Sequence, residues 1–194
     1  MDSAYVHRWT MVGKDKESTV ASHSFNVAML AMEIRKRMFN TPGIDEMTVC
    51  YFALIHDVKE SYTGDIPTPT KTAMKAAGFD PDNYDDSHAD EQTPIDRVKD
   101  IIKAADLVDN CIFIGEHGTG ARARVAYAEV RGRLDSYLAG APEDLRRATA
   151  ETMNYVLNRS SDAVEERIRL AEDRETCSRV NSRLGFPLVV GRES

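Results

Sequence analysis

The stretch YFALIHDVKESYTGDIPTPTK, residues 51–71, changes character within one helical turn. Tyr51 to Ile55 read as an apolar helix segment; His56, Asp57, Lys59 and Glu60 follow at once, and Gly64, Pro67 and Pro69 then interrupt regular structure. An imidazole and a carboxylate set directly after an apolar run are costly to bury unless something pairs with them, and a metal ion is an efficient partner.

Working outward, Asp45 is a natural N-cap for a helix over about Glu46–Glu60, and NTPG at 40–43 separates it from an earlier one through Pro42 and Gly43. That earlier helix is SHSFNVAMLAMEIRKRMF, 22–39, with Phe25, Met29, Met32 and Phe39 at helical spacings and Ser22 or Ser24 as its cap. Downstream, the acidic run AAGFDPDNYDDSHADEQTP, 76–94, reads as a surface loop. Helical patterns follow over about 95–114, 121–139 and 142–158, the last opening on Pro142, and a polar helix is expected over 160–183. With no alternating apolar run and no repeat, the expected fold is all-α, one domain over 1–194. Its motif-bearing part covers about 5–115, its C-terminal helices about 121–176, and its tail 177–194.

Composition narrows the function classes. The chain has 194 residues, 42% of them apolar and 29% charged, enough for one substantial core. A net charge of −7 argues against a broad nucleic-acid surface, which needs a basic patch. No run has the length of a membrane span, and the N-terminus lacks the pattern of a signal peptide, so a cytoplasmic protein without a membrane partner is expected. Cys50, Cys111 and Cys177 are odd in number and far apart, which points to neither disulfides nor a thiolate zinc site.

Four residues on three expected helices can converge: His23, the adjacent His56 and Asp57, and Asp106 in IIKAADLVDN. Two imidazoles with two carboxylates form a mixed nitrogen and oxygen set suited to a divalent first-row ion. Each alone has a plainer reading, as an ordinary helix histidine or a solvated carboxylate, and Asp109 competes with Asp106 for the last place. His7, His88 and His117 have no supporting pattern, and the GTG at 118–120 is too short for a phosphate loop.

The order His23, His56-Asp57, Asp106 resembles the HD-domain metal-dependent phosphohydrolases, whose helical bundle holds a metal with those four side chains. HRW at 7–9 and HDVKESYTGDIPTPTK at 56–71 resemble the 5′-deoxynucleotidase branch, which includes bacterial monophosphatases and short phage enzymes that strip triphosphate from dATP. The compact length favours the second group. The resemblance implies His23, His56, Asp57 and Asp106 as metal ligands, with cobalt, manganese or zinc as the ion and magnesium as an additional ion on the phosphates. It implies Glu60 and Asp65 as the catalytic carboxylates. Arg8, Lys71 and Lys103 are the cations expected on phosphate, and Trp9, Met11 and Pro69 the expected walls of a base pocket; Trp9 serves equally well as a core or lid anchor.

The function this resemblance implies is hydrolysis of deoxyadenosine nucleotides at the 5′ phosphate, chiefly dATP to deoxyadenosine and triphosphate, with dADP and dAMP as further substrates. A broad 5′-deoxynucleotidase acting on monophosphates is the alternative, and a non-catalytic nucleotide-sensing module a second. The partners expected are a small deoxynucleotide and further copies of the chain, in the host cytoplasm if the protein is phage-encoded.

Overall fold

The computed structural model describes residues 3–38, 43–81 and 95–158. Phe39, Pro42, His88, Cys177 and the polar helix expected over 160–183 lie outside them. The chain divides into two compact units, Met1–Met153 and Asn154–Ser194. Of the second, residues 154–158 are described and are helical.

In the first unit the described residues form α1 (Val20–Arg37), α2 (Glu46–Ile55), α3 (Glu60–Thr63), α4 (Thr68–Ala76), α5 (Asp96–His117) and α6 (Gly120–Gly140), and residues 143–153 are helical as well. Among the described residues there is no strand, only two isolated bridges, His7 to Thr19 and Lys14 to Gly118. The all-α expectation is met. No described helix is long and apolar enough to cross a membrane.

α1 starts at Val20, three residues earlier than a cap at Ser22 would place it. Thr19 is its N-cap, and the hydroxyls of Thr19 and Ser22 each accept from the other's backbone N–H, a capping box that satisfies two donors at once. The buried face carries Val20, His23, Val27, Ala31 and Ile34, so His23 occupies a core position of the helix. Phe25 and Met29, spaced like core residues in the sequence, point outward at 60% and 54% exposure. The smaller residues opposite them let α1 lie close against α2 and α5, and α5 in turn packs on α6. In α5 the buried face, Val98, Ile101, Ile102, Ala105 and Val108, extends directly into Asp109 and Asn110.

Asp45 caps α2 as expected, its carboxylate accepting from the Thr48 N–H. The helix does not run on to Glu60, however. It stops at Ile55, and the chain tightens into successive bonds three residues apart: Val58 to Ile55, Glu60 to Asp57, Ser61 to Val58 and Tyr62 to Lys59. This winding of about three residues per turn stacks residues i and i+3, which brings Glu60 over Asp57 more directly than an α-helix does. Gly64 ends α3 with φ +74, a conformation that favours glycine. Pro67 and Pro69, expected only to break structure, instead open α4: Pro67 is its N-cap and Pro69 lies in its first turn, where a missing N–H costs nothing.

Candidate metal centre

His23 comes from the buried face of α1, His56 from the C-cap of α2, and Asp106 from the middle of α5. One ligand atom from each lies within 4.8 Å of the others, a spacing able to hold a metal ion. The imidazoles are oriented for that purpose. Nδ1 of His56 is 2.7 Å from the Ala53 carbonyl, which can only accept, so Nδ1 carries the proton and Nε2 offers its lone pair. Nδ1 of His23 is 2.7 Å from Oδ2 of Asp109, which fixes the same tautomer. Both Nε2 atoms are buried without a hydrogen-bond partner, so each has its lone pair available to a metal ion. Two such nitrogens beside carboxylate oxygen make a donor set that fits a divalent transition metal.

Asp57 adjoins this triad. Its Oδ2 is 3.2 Å from Nε2 of His56 and 3.4 Å from Nε2 of His23. Oδ1 of Asp106 is also 3.4 Å from Nε2 of His23. Burial alone would lower the His23 pKa, but Asp106, Asp109 and Asp57 outweigh it and push it up to about 10. In turn Asp57 is held well below the usual carboxylate range against its own burial, by His23 and His56, and Asp106 likewise by His23 and Lys103.

Glu60 differs from its neighbours. Oε1 lies 3.4 Å from Nζ of Lys71, and Oε2 is buried without a partner. Burial first, then the charges of Asp57 and Asp65, push its pKa up to about 7, against the pull of Arg8 and Lys71. A carboxylate that exchanges its proton near neutral pH is suited to general acid or base work. Lys103, on α5 one turn before Asp106, donates to Oδ2 of that residue at 2.8 Å.

Arg8 is buried, with Nη2 3.4 Å from Oδ1 of Asn110 and with Nε and Nη1 unpartnered. Its segment is pinned by the Arg8 N–H to Ser18 carbonyl bond and by Val20 to Val6. Such a guanidinium, close enough to act on both Glu60 and His23, is prepared for an anion. Arg8, His23, His56, Asp57, Glu60, Asp65, Lys71, Lys103 and Asp106 therefore form one connected neighbourhood. Trp9 is half-buried with φ 59, unusual for a bulky residue, while Met11 and Pro69 are exposed. A hollow of about 240 Å³ lined by Tyr62, Thr63, Ile66, Phe79 and Pro81 includes none of the expected site residues.

Two members of this neighbourhood were not assigned their places from sequence. Asp109 was a rival ligand to Asp106; in the structure it binds the far nitrogen of His23 instead. Asn110 had no assignment. It donates from Nδ2 to Oδ1 of Asp106 at 2.7 Å. Their only sequence signal is position, three and four residues after Asp106 and so on its side of the helix.

The family model described as 5′-deoxynucleotidase YfbR-like matches residues 2–78. A dATP triphosphohydrolase of Salmonella phage PMBT28 is 32% identical over 147 residues, covering 71% of this chain and 75% of that protein. A dATP triphosphohydrolase of Cyanophage S-2L is 29% identical over 127 residues, 62% of this chain and 70% of that one. Among solved structures, the Cyanophage S-2L HD phosphohydrolase, bound to dA and one catalytic Zn²⁺ ion, superposes with a TM-score of 0.64. The match has 20% identity and covers 81% of this chain and 93% of that one, so this likeness speaks for the fold. Taken with the helical bundle and the His23, His56 and Asp106 triad, these matches show that the chain belongs to the HD-domain phosphohydrolases, in the family of the phage dATP triphosphohydrolases and the YfbR-like 5′-deoxynucleotidases.

Proposed function

We propose that the protein is a metal-dependent phosphohydrolase of deoxyadenosine nucleotides, cleaving dATP to deoxyadenosine and triphosphate, with dADP and dAMP as further substrates. The observation that carries this reading is the convergence of two correctly oriented, unpartnered imidazole nitrogens with Asp106 beside a carboxyl group whose pKa is about 7. The phage relatives named above supply the substrate.

His23, His56, Asp57 and Asp106 are the residues that would hold the ion, cobalt, manganese or zinc. A divalent ion there supplies Lewis-acid polarisation of a phosphoryl oxygen and a water acidic enough to attack. Glu60 takes up a proton from the attacking water, which Asp65, whose charge helps keep the Glu60 pKa high, holds in place by accepting its second hydrogen; the proton gained by Glu60 returns through solvent to the departing 5′ oxygen. Arg8, with Lys71 and Lys103 released from Glu60 and Asp106, neutralises the developing charge on the phosphates. Trp9 stacks on the base while Met11 and Pro69 close its edges. Proline offers no side-chain donor and tolerates little added bulk, so a 2-amino group on the purine is excluded.

The test is a product panel from dATP, dGTP, 2-amino-dATP, ATP and dAMP with Mn²⁺ or Co²⁺. dATP should be turned over well above dGTP, 2-amino-dATP and ATP, and Pro69→Ala should relax the rejection of 2-amino-dATP. Equal rates on all of them would remove the base pocket. The family-model match favours one alternative, a 5′-deoxynucleotidase acting on monophosphates; phosphate from dAMP with dATP left intact would establish it.

A further inference from the structure

Asn110 and Arg8, both 9% exposed, meet between α5 and the segment that precedes α1. The Asn110 amide faces two neighbours of opposite character: Asp106 Oδ1, which only accepts, at 2.7 Å, and Arg8 Nη2, which only donates, at 3.4 Å. Only one orientation of the amide satisfies both, with Nδ2 toward the carboxylate and Oδ1 toward the guanidinium. No other side chain of this length offers a donor and an acceptor at once. Aspartate would set two carboxylates face to face, and alanine or leucine would leave a buried donor and acceptor unmatched.

The link joins the two halves of the site. Asp106 belongs to the metal triad; Lys103 holds its other oxygen at 2.8 Å until phosphate draws the ammonium away, and Asn110 is then the residue left to fix the carboxylate plane. Arg8 has no other side-chain hydrogen bond among the described residues, and its Nε and Nη1 are left buried without partners. Asn110 is therefore the contact that locates the guanidinium relative to the metal ligands.

We propose that Asn110 is a positioning residue of the phosphohydrolase site, its amide tying the Asp106 carboxylate to the Arg8 guanidinium so that an ion and a phosphate chain are gripped at one fixed spacing. This rests on the function proposed above. It assigns Asn110 no contact with substrate; its effect passes through Arg8. A phosphate chain long enough to reach from the triad to Arg8 should feel that spacing more than single phosphate does.

The test is a double-mutant cycle on the full chain with Asn110→Ala, Arg8→Ala and the pair, read by calorimetric binding of inorganic tripolyphosphate to the Mn²⁺-loaded protein. Mn²⁺ affinity and thermal midpoint are measured alongside. Asn110→Ala should weaken tripolyphosphate binding about tenfold in the wild-type background and less than about threefold once Arg8 is gone, since the coupling disappears with its partner. Mn²⁺ affinity should fall by the same factor with and without Arg8, because Asn110 steadies the ligand Asp106 in both backgrounds, and saturating Mn²⁺ keeps that loss out of the tripolyphosphate measurement. Asn110→Asp, which keeps the side-chain size, should weaken tripolyphosphate binding further by neutralising Arg8. Equal losses in both backgrounds, wild-type binding by Asn110→Ala, or a loss confined to Mn²⁺ affinity would overturn the proposal. Turnover of dATP by the wild type is a separate arm: inactivity there contradicts the proposed function, while the binding cycle still decides the role of Asn110.

Discussion

Nδ1 of His23 and Oδ2 of Asp109 are 2.7 Å apart, both residues are buried, and the bond turns the other ring nitrogen of His23 toward His56, Asp57 and Asp106. A histidine so held has one tautomer and one ring orientation. Asp109→Asn or Asp109→Ala should therefore lower Mn²⁺ or Zn²⁺ affinity by roughly 10- to 100-fold while the helical signal persists. Chelator competition measures it, and unchanged affinity would show that His23 needs no such support.

Metal binding should also compete with protons. The His23 pKa rises from 6.5 to about 10 in the folded, metal-free protein. Its contribution to stability is thus fully present below pH 6.5 and is lost as the pH rises through about 10. At neutral pH an incoming ion must displace that proton, so apparent affinity should rise about tenfold per pH unit between roughly pH 7 and 8.5. Binding measured in buffers of different ionisation enthalpy should report proton release, and affinity flat with pH would contradict the protonated state.

Glu60 should add a loss of stability with rising pH of the same sign, in a lower window. Its folded pKa of about 7 exceeds the ordinary 4.5, so its ionisation opposes folding increasingly from pH 4.5 to 7 and constantly above that. In the metal-free protein at pH 8, Glu60→Gln should raise stability by roughly 1–3 kcal/mol, yet with metal restored it should lose turnover by about 100-fold or more. Retained turnover would take Glu60 out of the reaction, and lost metal would make it a ligand.

How much of this could be read from the chain follows from the range of each signal. Asp45 as a cap, the helix carrying His23 and the one carrying Asp106 rest on local hydrogen bonding and apolar spacing, and they appear where expected. The tightened turns between Ile55 and Gly64 carry no glycine or proline to announce them, so a continuous helix to Glu60 was the natural reading. Pro67 and Pro69 are ambiguous in sequence because proline both ends and begins helices. The contacts of Asp109 with His23, 86 positions away, and of Asn110 with Arg8, 102 away, are products of packing between elements and leave no local pattern.

Trp9 adopts φ 59 next to Arg8 in a segment tied down by Val12 to Trp9 and Arg8 to Ser18 backbone bonds. Holding a bulky residue there costs about 1–3 kcal/mol, which a side chain kept for stacking would justify. Trp9→Asn, a residue that accepts this conformation, should change the thermal midpoint little while raising KM for dATP about tenfold. A large fall in midpoint with KM unchanged would make Trp9 an anchor of the fold.

The most direct test of the whole account is the reaction of dATP in ¹⁸O-labelled water with the Mn²⁺-loaded protein, followed by product chromatography and mass analysis. Attack on the phosphorus joined to the sugar 5′ oxygen predicts deoxyadenosine without label and inorganic triphosphate carrying ¹⁸O, in equal amounts, with both lost in His56→Ala. Unchanged dATP, cleavage to dADP or dAMP, or label in the deoxyadenosine would contradict it.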